Sequence, residues 1–113
     1  MYQVVKRDGA IVEFDISKIA GAVAKAFDAQ ERAYNQGIVD MIALRVTSDF
    51  EEKVENGCIT VENIQDSVER VLSEAGYADV AKAYILYRKQ REKVRNVGSA
   101  LLNYKELVEN YLG

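Results

Sequence analysis

Two short runs rich in β-branched residues, YQVVKR and AIVEF, flank Asp8-Gly9 at the start of the chain. Asp-Gly tolerates positive φ and favours a hairpin turn between such runs, so the chain is expected to open with a hairpin. Only CIT at residues 58–60 follows as a further short candidate, either one strand or a loop. So little strand-forming sequence allows only a small sheet, and helices must bury the other apolar residues.

The spacing predicts those helices. Asp15 stands as an N-cap before Ile16, Ile19, Ala20, Val23 and Phe27, with Gly21 interrupting the pattern. Val39, Ile42, Ala43, Val46, Phe50 and Val54 mark a second helix, with Asn56-Gly57 as its stop signal. Thr60 can cap a third, carrying Val61, Ile64, Val68, Val71, Leu72 and Ala75 and stopped by Gly76. A fourth runs from about Ala78 towards Gly98, and Leu101, Tyr104, Val108 and Tyr111 suggest a C-terminal linker helix. With 113 residues the chain fits one domain with one modest core. The expected class is α+β, mostly helical.

Composition excludes most chemistry. The chain has no histidine and one cysteine, Cys58, so the usual zinc sites, Ser/His/Asp triads, Cys/His pairs and internal disulfides cannot be built from it. Neither GxxxxGK[ST] nor GxGxxG is present. No apolar run reaches the roughly 20 residues of a membrane span, and the N-terminus lacks the features of a signal peptide. The expectation is a soluble, cytoplasmic, non-catalytic chain without a membrane partner. The net charge of −3 also argues against a general nucleic-acid binder.

Against that acidic background some cations need a reason. Lys18 falls in the first turn of the first helix, where the macrodipole disfavours a cation unless an anion is present. Lys6 and Arg7, read as consecutive strand residues, would point to opposite faces. Lys82, Arg88, Lys89, Arg91, Lys93 and Arg95 crowd the fourth helix, where Glu92 stands among them. Each group has a plain explanation: a solvated lysine, a charged hairpin tip, or cations complementing a helix C-terminus. Tyr84 and Tyr87 read as core or core-edge aromatics. A polyphosphate or an acidic partner would explain the three cationic groups together.

The elements K-R-D-G, F-D-x-x-K-I and A-Y-I-L-Y-R, in this order, resemble the ATP-cone, a regulatory domain at the N-terminus of many ribonucleotide reductases. The resemblance spans about residues 2 to 92, which suggests an ATP-cone over residues 1–94 and a linker helix over 95–113. The segment after the cone is similar to the one leading into the catalytic barrel of anaerobic, class III glycyl-radical ribonucleoside-triphosphate reductases.

What the resemblance implies is a four-helix bundle capped by a three-stranded β-sheet, with CIT as the third strand. It implies ATP as activator and dATP as inhibitor, accompanied by Mg2+. Its implied partners are the catalytic domain of the parent reductase and further copies through the cone. By motif, Lys6 and Arg7 resemble the hairpin cations that reach phosphates. Val4, Val12, Phe14 and Ile19 match the adenine pocket, Asp15 the base, and Lys18 the ribose-phosphate. Val61 and Gln65 match third-helix positions facing ribose or phosphate, and Arg88 with Lys89 or Arg91 would approach the phosphates. Some family members carry an acidic residue at the position of Val12 and a histidine near Gln65, so altered nucleotide discrimination is expected. The alternatives are the ATP-cone of a transcriptional regulator of reductase genes, whose zinc ribbon is not seen ahead of this hairpin, and a helical module contacting RNA or protein.

Overall fold

The computed structural model describes residues 2–91. Strands β1 (Gln3–Val5) and β2 (Ile11–Glu13) pair antiparallel, with Val4 opposite Val12. Their connection is longer than a two-residue turn. The Gly9 N–H donates to the Lys6 carbonyl at 2.9 Å, and the Lys6 N–H to the Ala10 carbonyl at 2.8 Å. Gly9 has φ 87°, whereas Asp8 is not among the positive-φ residues. A two-residue type I′ turn needs positive φ at both central positions, so the chain instead forms a turn closed by a glycine bulge. Asp8 accepts from the Ala10 N–H at 2.9 Å and braces it. This corrects the sequence reading of Lys6 and Arg7: both lie in the loop, freed from strand alternation.

Helix α1 (Ile16–Ala29) starts as expected on Asp15, which accepts from the Ser17 N–H at 3.0 Å. Its buried stripe is Ile19, Val23, Ala26 and Phe27. Helix α2 (Gln36–Phe50) is capped by Asn35 and buries Val39, Ile42, Ala43, Val46 and Phe50. The expected stop at Asn56-Gly57 is a different structure. The helix gives way to a 3-10 turn at Glu51–Lys53, and Val54 is extended. Asn56 (φ 54°) and Gly57 (φ 75°) then form a tight turn closed by reciprocal Glu55–Cys58 backbone bonds of 3.0 and 2.9 Å. Asn-Gly is the strongest two-residue hairpin signal, and positive φ at both positions is what that turn demands.

That turn launches β3 (Cys58–Thr60), which pairs parallel to β1 with Ile59 beside Val4. The sheet order is β2-β1-β3, so CIT is a strand and β1 is central. Thr60 caps helix α3 (Val61–Glu74) by accepting from the Asn63 N–H at 3.2 Å. At its end the Tyr77 N–H reaches the Leu72 carbonyl at 2.9 Å and the Gly76 N–H reaches Ser73 at 3.2 Å, a Schellman stop. Helix α4 follows over residues 78–91. The proposed linker helix, with Lys93 and Arg95, lies outside the described residues.

Helix α2 packs against both α1 and α3, and α4 adds Val80, Ala81, Ala83 and Tyr84 to the same core. Two aromatic clusters tie the ends together. Tyr2, Phe14 and Phe50 meet edge to face with centroids 5.4–6.0 Å apart, joining sheet to α2. Phe27, Tyr34 and Tyr77 join the far ends of α1 and α3 at 5.1 and 5.3 Å. The result is a four-helix bundle capped by a three-stranded sheet. Among the described residues, no helix is long and apolar enough to cross a membrane.

Candidate functional site

Between the hairpin and the bundle lies a cavity of about 510 Å3, within the range of about 300–1,000 Å3 usual for small-molecule sites. Its apolar wall comes from the sheet and from helix faces that meet it: Val4, Val12 and Phe14, then Ile19, then Val61, Ile64 and Val68. Phe14 is held there by the ring edges of Tyr2 and Phe50, and Tyr2 is fixed by donating its hydroxyl to Glu51 at 2.9 Å.

Charge is concentrated on the rim. Lys6, Arg7, Lys18, Lys25, Arg88 and Arg91 line the cavity against two carboxylates, Glu13 and Asp15. In a chain of net charge −3 this is a local inversion of sign. Among the described residues Lys6 and Lys18 form no salt bridge, although the Asp15 carboxylate feels the Lys18 charge. Asp15 supplies the anion that the start of α1 calls for. Its carboxyl is held below the usual range, first by the Ser17 hydroxyl at 2.6 Å, then by the Ser17 N–H, with Lys18 adding to the effect and burial opposing it.

Helix α4 behaves differently from a free cationic stripe. Arg88 donates to Asp66 at 2.9 Å and to Glu69 at 3.0 Å, so α3 supplies the counterions that the sequence seemed to lack. Burial works against the Arg88 charge, yet these two hydrogen bonds hold its pKa above the ordinary arginine value. Arg91 lies over the Tyr87 ring at 5.8 Å and Lys25 at 5.9 Å, so that ring is flanked by two cations.

Of the thirteen residues singled out from the sequence, the cavity gathers twelve: Val4, Lys6, Arg7, Val12, Phe14, Asp15, Lys18, Ile19, Val61, Gln65, Arg88 and Arg91. Lys89 is the exception; it lines a neighbouring, more open cavity. Sequence reasoning passed over Lys25 and the small residues Gly21 and Ala22. The signal was present: Lys18 and Lys25 are seven apart on one helix face, with Gly21 and Ala22 between them. Gly21, read as a flaw in a helix, is part of the wall, and a Cβ there would meet nothing within 4 Å.

Tyr84 closes the α4 side. It is 6% exposed, and burial pushes its hydroxyl up to about 12, with Arg88 opposing. Because the folded value lies above the usual 10.0, the stabilisation is intact below pH 10 and is lost as pH rises towards 12. Linkage puts the loss on the order of 2 kcal/mol. Denaturant titrations at successive pH values should show a shallower decline for Tyr84→Phe across this window.

Residues 2–93 match the family described as ATP cone domain. The chain belongs to the ATP-cone family. Among its relatives, the chain is 38% identical over 104 residues to the vitamin B12-dependent ribonucleoside-diphosphate reductase of Mycobacterium tuberculosis, covering 92% of this chain and 14% of that protein. It is 37% identical over 98 residues to the ribonucleoside-diphosphate reductase subunit alpha of Chlamydia pneumoniae, covering 81% of this chain and 9% of that one. It is 34% identical over 100 residues to the anaerobic ribonucleoside-triphosphate reductase of Haemophilus influenzae, covering 88% and 14%. The chain thus spans only a small share of the length of each of these relatives.

Proposed function

We propose that the cone binds ATP and dATP in the cavity beneath the hairpin and regulates the overall activity of an attached ribonucleotide reductase, without catalysing a reaction itself. The observation that carries this reading is the pairing of an apolar wall with a cationic rim, whose Lys6 and Lys18 form no salt bridge among the described residues. Adenine would lie against Val4, Val12, Phe14 and Ile19, near Asp15. The phosphates would meet Lys6, Arg7 and Lys18, with Arg88 and Arg91 beyond them. Gln65 supports the ribose end, because its side-chain oxygen is buried without a hydrogen-bond partner and offers an acceptor to a hydroxyl.

Mg2+ would arrive with the triphosphate. Among the described residues no cluster of three metal-ligating side chains exists, so phosphate oxygens would supply most of the ligands, with Glu13 or Asp15 beside them. Regulation requires the two effectors to favour different states of the parent protein, through cone-to-cone assembly or contact with the catalytic domain. We place the unit at residues 1–94, with 95–113 linking to the catalytic domain, in the cytoplasm. The relatives span three kinds of reductase; assignment to the anaerobic class rests on the resemblance of the C-terminal segment.

Calorimetric titration with ATP, dATP and GTP tests this. Saturable binding of both adenine nucleotides is expected, with GTP weaker. Lys6→Ala should weaken ATP by about tenfold, the scale of one hydrogen bond to a charged group. A folded chain that binds no adenine nucleotide, or an unchanged affinity in Lys6→Ala, would overturn the assignment. Salt-sensitive binding of RNA with indifference to mononucleotides would favour a nucleic-acid-contacting module instead.

A further inference from the structure

Arg7 and Arg88 line two cavities at once. Besides the main one they border the neighbouring space of about 570 Å3, whose other walls include Glu62, Glu69 and Lys89. Glu62 and Glu69 do not line the main cavity. Each carboxylate nonetheless holds one of the shared arginines: Arg7 Nε is 3.0 Å from Glu62 Oε1, and an Arg88 guanidinium nitrogen is 3.0 Å from Glu69 Oε1. Asp66, between them on α3, takes the same Arg88 nitrogen at 2.9 Å. Residues 62, 66 and 69 share one helix face by their spacing. Two arginines facing the main cavity are therefore already neutralised from behind.

Resting on the nucleotide reading above, we infer that Glu62 and Glu69 are competitor anions. A polyphosphate in the main cavity draws Arg7 and Arg88 away from α3, and the affinity it attains is set by this exchange. Charge-assisted bonds to phosphate favour the move. The carboxylates left behind oppose it, since half-buried charges without partners are costly. Arg88, whose side chain is 19% exposed, has little room to serve both sides. Lys89 shares the second cavity with Glu69 and replaces Arg88 there. The position that sequence reasoning gave to phosphate thus acts through α3. The exchange also loosens the hairpin-to-α3 and α3-to-α4 links together, which is the differential contact a regulatory ligand needs.

The test is calorimetric titration of the chain with ATP and with inorganic tripolyphosphate. Glu62→Gln and Glu69→Gln should each bind both ligands about two- to fivefold tighter, the range set by a partly exposed ion pair. Asp79→Asn is the charge-matched control, because Asp79 pairs with Arg32 and lines neither cavity; it should bind like wild type. Lys89→Ala should weaken ATP in the wild-type background and have no effect in Glu69→Gln. If wild type binds ATP but the two glutamine variants bind no tighter than Asp79→Asn, the exchange is overturned. A Lys89→Ala effect that persists in Glu69→Gln means direct phosphate contact and removes Lys89 from it. Absence of binding by wild type and variants alike overturns the nucleotide reading and this inference with it.

Discussion

Replacing Phe50 with alanine is expected to destabilise the domain by about 3–5 kcal/mol, the range for truncating a buried phenylalanine. Phe50 is 0% exposed and closes the end of α2. Its ring meets Phe14 at 5.4 Å and Tyr2 at 5.9 Å, so the change removes two edge-to-face contacts besides opening a cavity. Domains of this size hold a total of only about 5–15 kcal/mol, so the loss is a large fraction of the whole. Urea unfolding without nucleotide should show a lower midpoint with the same slope. Phe50→Leu, which keeps most of the volume, should recover over half of the loss. A midpoint shift in Phe50→Ala no larger than that of a surface substitution would mean that the aromatic cluster is not what fastens the sheet to the bundle.

Lys18→Glu should do the reverse, leaving the fold intact while removing nucleotide binding. Lys18 occupies the third position of α1 after the Asp15 cap, where glutamate can close a capping box on the cap residue's own N–H. A negative side chain there also complements the helix dipole. The melting temperature of the variant should therefore hold or rise slightly. In the cavity, the same change replaces a cation by an anion facing phosphate, and ATP affinity should fall by about a hundredfold or more. Calorimetry and thermal melts on one preparation check both halves. Unchanged ATP affinity would show that Lys18 stands clear of the phosphates.

Much of the local structure was legible in the chain, because it depends on neighbours a few residues apart. The caps at Asp15 and Thr60 and the stop at Gly76 follow from short-range hydrogen bonding, and the stripe from Val39 to Phe50 follows from helical period. The misreadings were also local. Asn56-Gly57 is both a helix-stop and a hairpin signal, and only the partner strand β1, which takes up Cys58–Thr60, decides between them. Beyond the end of helix α1 at Ala29, Glu31 takes φ 52°, a position where glycine would have announced the stop in the sequence.

The candidate site divides along the same line. Sequence alone determined which residues carry charge, that Lys18 stands in a helix start, and that the hairpin tip is cationic, since these are matters of identity and short spacing. Tertiary structure alone decided which cations are held in salt bridges. Arg7 finds Glu62 and Arg88 finds Asp66 and Glu69 only once α3 lies between hairpin and α4, whereas Lys6 and Lys18 form no salt bridge among the described residues. The reason is physical: charge pairing falls steeply with distance and burial, and both are set by the packing of segments remote in the chain.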